Sequence, residues 1–170
     1  QSAEFDDSDW RIIDLPHDWS IEDLPGQNGV DIIGPFDRSA IDKGSSAYMV
    51  GGTGWYRKKF TISRGDRDKI VYLQFDGVYM NSDVWLNGKH LGFHPNGYTP
   101  FYYNITEYLN PPGKPNIVAV RAKNEGMNSR WYSGSGINRH VWLILKEQVH
   151  IYVSGGLYIT TPIVSEDSAV

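Results

Sequence analysis

The stretch from Asn124 to Asn138 holds the densest set of ligand-capable side chains in this 170-residue chain. Asn128, Ser129, Arg130, Trp131 and Tyr132 offer amide, hydroxyl and guanidinium donors beside two rings able to stack. Gly126, Gly134 and Gly136 let the backbone turn sharply around them. Polar loops on a rigid scaffold are where binding residues concentrate. Arg130 carries a planar, permanently charged donor fork suited to hydroxyls or to an acidic substituent; the alternative is pairing with a surface acid. A second set is Tyr79, Asn81 and Asp83, which share one parity of an alternating segment. Asn and Asp are depleted in strand interiors, so they call for a ligand contact or for polar pairing between sheets. His90 and His94 have the His-x-x-x-His spacing that converges on a metal when it lies on a helix. On a strand the two rings stand roughly 13 Å apart. With no cysteine in the chain, the sequence predicts no metal site and no cofactor.

These residues need elements to hold them, and the central one runs from Asp76 to His94. Val78, Met80, Val84 and Leu86 fall on one parity and Tyr79, Asn81, Asp83 and Trp85 on the other, a period of two that predicts a strand. Asn87-Gly88 supplies a two-residue I′ turn, and Leu91 and Phe93 return on the partner strand. Further strands are predicted over Trp55 to Ile62, Lys69 to Phe75, Phe101 to Ile105, Asn116 to Ala122, His140 to Leu145, Val149 to Val153 and Leu157 to Thr161. Thr106 to Leu109 reads as a single helical turn, ended by Asn110-Pro-Pro-Gly113. Residues 1–54 show little periodicity and read as an irregular wrap with loops. Strand after strand without a convincing helix predicts an all-β sandwich.

Composition narrows the function classes. A length of 170 residues suits one domain with a real core. A net charge of −4 gives no electrostatic reason to bind nucleic acid or an anionic membrane. No apolar run approaches the roughly 20 residues of a membrane span. Six Trp and eleven Tyr are rich in faces that stack on sugar rings, and equally in faces suited to packing between sheets. His17-Asp18 has no nucleophile placed beside it and reads as a structural hydrogen-bonding pair.

Several segments carry a resemblance in order and at matching spacing. Gly54-Trp-Tyr-Arg-Lys-Lys-Phe60, Phe75-Asp-Gly-Val78 and Val84-Trp-Leu-Asn-Gly88 are three of them. Gly97-Tyr-Thr-Pro-Phe101 and Asn128-Ser-Arg-Trp-Tyr-Ser-Gly-Ser-Gly-Ile-Asn-Arg139 complete the set. Together they resemble the amino-terminal sugar-binding domain of family 2 glycoside hydrolases, which include β-galactosidases, β-glucuronidases and β-mannosidases. The resemblance implies a jelly-roll β-sandwich over 1–147, with 148–170 a linker and the start of a truncated immunoglobulin-like second domain. It also implies that the chain is a cut piece of a longer enzyme, an expectation that Gln1 in place of an initiator methionine supports.

In that family the loop before Ser-Gly-Ile-x-Arg helps shape the subsite for the terminal sugar. The resemblance therefore makes Asn128, Arg130, Trp131 and Tyr132 substrate contacts, with Tyr79, Asn81 and Asp83 a second group. Arg130 falls near an aspartate that contacts sugar and sodium in some β-galactosidases, so the departure argues against an inherited metal. Both catalytic glutamates would lie in a barrel domain outside this chain. Asn124-Glu125 mimics an acid/base signature, yet its position between sandwich motifs makes Glu125 a loop acid. The expected function is thus a non-catalytic module of a β-galactosidase-like enzyme that binds carbohydrate together with the barrel. Alternatives are a stand-alone carbohydrate-binding module and a structural or surface interaction module. An oligomer would form through the parent enzyme, and a periplasmic or secreted setting is placed ahead of a cytoplasmic one.

Overall fold

A computed structural model of the chain describes residues 4–22, 32–33, 36–40, 43–126, 133–152 and 156–168. Among the described residues nine strands follow one another: β1 (Ile32–Ile33), β2 (Phe36–Asp37), β3 (Gly52–Thr61), β4 (Ile70–Phe75), β5 (Ser82–Leu86), β6 (Lys89–His94), β7 (Phe101–Asn104), β8 (Pro115–Asn124) and β9 (Val141–Lys146). They form a four-stranded sheet in the order β3-β8-β5-β6 and a three-stranded sheet in the order β7-β4-β9, with β1-β2 as a small ribbon. Every pairing is antiparallel. The described residues contain 3-10 turns and no α-helix, and no helix long and apolar enough to cross a membrane. This is the all-β sandwich that the strand succession predicts and the jelly roll that the resemblance implies.

The period-two pattern explains the core. Val71, Leu73 and Phe75 on β4 meet Val84 and Leu86 on β5 and Val118, Val120 and Ala122 on β8, all buried in one cluster. Phe75 and Phe101 stack at 4.9 Å between ring centres, which adds ring geometry to simple area burial. Asn87 and Gly88 both take positive φ, 50° and 83°, as the hairpin between β5 and β6 requires. Asn87 also ties the turn to its neighbours, donating to the Tyr108 carbonyl at 2.8 Å and accepting from the Ile117 amide at 2.9 Å.

Three expectations are corrected. The strand expected from Asp76 begins only at Ser82. Residues 76–81 form a connection in which the Tyr79–Met80 peptide is cis and Asn81 has φ 45°. Alternation of residue type in that segment therefore mimics a strand without being one. Secondly, the β5–β6 register shifts between Val84 and Trp85, so that Trp85 opposes His90 but Val84 opposes Gly92. The extra residue turns Phe93 to the outer face opposite Asp83, where it is exposed. Thirdly, Val149 to Tyr152 and Leu157 to Thr161 join no sheet. Their alternation is sound, but a strand needs a partner ladder, and these residues leave Val149, Leu157 and Ile159 facing solvent.

Candidate functional site

One end of the sandwich carries the connections that hold Tyr79, Asn81 and both stems of the 124–138 loop. Antiparallel pairing puts the start of β3, the end of β8, the start of β5 and the end of β6 side by side. It does the same for the end of β4 and the starts of β7 and β9 in the other sheet. The connections 76–81 and 95–100, with residues 125–126 and 133–140, therefore form this rim.

Asn128, Arg130, Trp131 and Tyr132 lie outside the described residues, but both stems of their loop are described. Buried Asn124 closes β8 and donates from Nδ2 to the Gly134 carbonyl at 3.0 Å and to Ser135 Oγ at 2.8 Å. Ser135 Oγ also receives the Ser20 hydroxyl at 2.7 Å, and the Ser135 amide donates to Asp18 Oδ1, likewise at 2.7 Å. Asp18 Oδ1 caps a short turn as well, accepting from the Ser20 amide at 2.9 Å. Backbone bonds from His17 to the Ile137 carbonyl and from Trp19 to the Ser135 carbonyl finish the clasp. In a region of low dielectric, such satisfied polar networks hold one geometry.

Single-sequence reading misses Asp18, Ser20, Asn124 and Ser135 as loop anchors. Asp18-x-Ser20 at a turn is a local signal for the cap, but nothing local points to Ser135. The structural role expected of His17-Asp18 is what the geometry displays. His17 Nδ1 meets the Tyr56 hydroxyl at 2.8 Å, and its Nε2 meets Glu22 Oε1 at 3.0 Å. Burial pushes the Tyr56 hydroxyl far above its ordinary range, so it stays protonated.

Tyr79 is buried, exchanges two backbone hydrogen bonds with Gly136 and packs edge-on against Tyr98 at 5.3 Å. Asn81 donates through Nδ2 to the Lys123 carbonyl at 3.3 Å. Asp83 stands apart from both, on the outer face of the four-stranded sheet, where it holds Arg121 Nη2 at 2.6 Å and His90 Nε2 at 2.8 Å. The rim thus brings Tyr79 and Asn81 to the stems of the loop, while Asp83 sits one register row away. Arg139 donates from Nη1 to the Tyr98 carbonyl at 3.3 Å. His94 turns from His90 to stack on Phe101 at 4.2 Å; burial lowers its pKa.

Glu125 is exposed at the rim. Its carboxylate accepts from Thr53 Oγ1 at 2.7 Å and meets Lys123 Nζ at 3.2 Å. The Thr53 hydroxyl first, then Lys123, hold its pKa below the ordinary glutamate value. A general acid for glycoside cleavage needs the opposite shift. In a side-chain NMR titration Glu125 is expected to lose its charge at lower pH than a free glutamate, and Thr53→Val to move that midpoint upward. Because the folded pKa is depressed, any stability it confers is present above the ordinary glutamate range and disappears as pH falls through the folded value. A midpoint at or above the ordinary value would contradict this geometry.

Residues 3–147 match the family model for the glycosyl hydrolases family 2, sugar binding domain. The chain belongs to that family. A β-galactosidase of Bacteroides ovatus, BoGH2A, is 46% identical over 167 residues, which is 98% of this chain and 18% of the relative. The crystal structure of a glycosyl hydrolase family 2 member from Bacteroides cellulosilyticus superposes with a TM-score of 0.87 at 47% identity, covering 99% of this chain and 21% of that one. The β-glucuronidase of Bacteroides uniformis superposes with a TM-score of 0.76 at 30% identity, over 99% of this chain and 19% of its own. The chain therefore spans about a fifth of the length of the relatives it matches.

Proposed function

We propose that this family 2 sugar-binding domain is a non-catalytic module of a β-galactosidase-like enzyme, and that its rim forms one wall of the pocket for the terminal sugar. The observation that carries this reading is the clasp of Asp18, Ser20, Asn124 and Ser135 around both stems of the loop. A clasp of this kind fixes the place from which Asn128, Arg130, Trp131 and Tyr132 are offered, and preorganised contacts bind sugar without an ordering cost at each encounter. Tyr79 and Asn81 back the same stems. The bond-breaking carboxylates belong, in this reading, to a barrel domain, and the chain alone hydrolyses nothing. The sandwich ends at residue 147, and 148–170 connect it towards an immunoglobulin-like domain.

The test exchanges the matching segment of the Bacteroides ovatus β-galactosidase for this chain and assays the hybrid on a chromogenic β-galactoside. Arg130→Ala and Trp131→Ala are expected to raise KM about tenfold with little change in kcat, the pattern of lost ground-state binding. The same variants should leave the melting temperature unchanged. An active hybrid indifferent to both substitutions would overturn the proposal, as would hydrolysis by the chain alone. A hybrid that prefers a β-glucuronide would move the substrate class to uronates, with Arg130 as the carboxylate's partner.

A further inference from the structure

The outer face of the three-stranded sheet is not used by the rim, and its composition is unusual. Register places Tyr102 on β7, Gln74 on β4 and Trp142 on β9 in one row. Adjacent strands lie about 4.8 Å apart, so the two aromatic positions stand about 10 Å apart with an amide between them. That span is comparable to a disaccharide. Trp142 is 49% exposed, yet its ring is not loose. The indole Nε1 donates to Asp76 Oδ2 at 2.7 Å, and Gln74 Nε2 donates to Asp76 Oδ1 at 2.9 Å. These two bonds, Gln74 first, keep Asp76 below the ordinary aspartate range, so the carboxylate is an acceptor with lone pairs to spare. Since an ionised carboxylate only accepts, Gln74 must turn its amide nitrogen toward Asp76 and present its oxygen elsewhere. That oxygen has no hydrogen-bond partner among the described residues. His140 packs edge-on against the Trp142 ring at 5.4 Å.

The remainder of the face is already closed. His150 packs on Tyr72 at 5.9 Å between ring centres, and Tyr152 accepts a hydrogen bond from the Tyr102 hydroxyl at 2.6 Å. Tyr152 therefore stands at the Tyr102 end of the row that Gln74 and Trp142 continue.

We propose that this row is a second carbohydrate surface, separate from the rim, that takes a neutral β-linked oligosaccharide across Trp142, Gln74 and Tyr102. A pyranose lays its apolar C–H face on the fixed indole, while its hydroxyls donate to Asp76 and the Gln74 oxygen. The charge argues for a neutral glycan, because a uronate carboxylate laid over the same row would meet Asp76.

The experiment is a titration of the full chain with β-1,4-linked tetrasaccharides of galactose and of glucose, followed by nitrogen-15 NMR. The Trp142 indole signal is identified by its loss in Trp142→Phe. We expect that signal and the Gln74 side-chain amide to shift saturably, with half-saturation on the order of 1 mM for at least one sugar. Trp142→Ala should weaken binding at least tenfold. Gln74→Ala, which leaves the indole in place, should weaken it at least threefold. Arg130→Ala at the rim should leave the sugar-dependent shifts of the Trp142 indole and the Gln74 amide as they are, so the outcome here is independent of the rim reading. Silence of the Trp142 signal at ten times that concentration would overturn the proposal. So would a shift that vanishes with Arg130→Ala but survives Trp142→Ala.

Discussion

Gly136→Ala is expected to lower the melting temperature of the chain by about 10 °C and to loosen the stem of the rim loop. Gly136 has φ 126°, a conformation that side-chain-bearing residues rarely adopt. An added Cβ would lie inside contact distance of the Tyr56 hydroxyl and 2.7 Å from the His17 carbonyl oxygen. Neither neighbour can give way cheaply. The Tyr56 ring packs against the core, its hydroxyl is bonded to His17, and the His17 amide is bonded to Ile137. Backbone strain of about 1–3 kcal/mol and overpacking of a similar size add to roughly 3–4 kcal/mol. For a domain of this length each kcal/mol shifts the midpoint by about 2–4 °C. Thermal unfolding followed by circular dichroism checks it, and a midpoint within about 2 °C of wild type would refute the steric account. The functional corollary is sharper. Gly136 trades two backbone bonds with Tyr79, so the variant should disturb the Tyr79 and Ser135 signals before the β5–β6 hairpin.

The hairpin is legible in the sequence because its signals are local. Alternation of residue type, with Val84 and Leu86 on one parity and Asp83 and Trp85 on the other, and the Asn87-Gly88 turn lie within a few residues of each other. The same rule overreaches at 76–81, where Val78 is buried in the core cluster and Tyr79 is held by an isolated bridge to Gly136, with no ladder along the segment. A period records which residues are covered; it does not record what covers them. Residues 1–54 read as wrap, but Trp19 and Met49 are buried and Met49 Sδ accepts from the Ser133 amide at 3.1 Å. The loop clasp is hidden for the same reason, since Asp18 and Ser135 are 117 residues apart. Ordered family motifs locate the loop, while its anchors emerge only when two distant chain segments meet. At the tail, alternation from Val149 to Tyr152 reads as strand, and the absence of a neighbouring ladder among the described residues decides otherwise.

Asp83→Ala is expected to destabilise the chain by about 2 kcal/mol, and Arg121→Met in the same background to recover most of that loss. Asp83 is buried, with its side chain 10% exposed, and both oxygens are engaged, one by Arg121 and one by His90. The Arg121 guanidinium sits 6.0 Å from the centres of both the Trp55 and Trp85 rings, which stack on each other at 5.3 Å. Its Nε is buried with no hydrogen-bond partner among the described residues. Removing the carboxylate strands a cation whose retreat to water is hindered by two indoles. Breaking a fully buried pair costs about 3–5 kcal/mol, but Arg121 is 37% exposed, so solvent screening reduces the loss. The Arg121→Met side chain would fill the slot beside the indoles without a charge, which separates the two contributions in a double-mutant cycle. The effect should appear as a lower denaturation midpoint in urea at unchanged slope. A double variant no more stable than Asp83→Ala would show that the carboxylate acts through His90 or the β5–β6 register, and not by neutralising Arg121. Either result bears on the rim, because Asp83 lies on β5 directly after the 76–81 connection that holds Tyr79 and Asn81 against the loop stems.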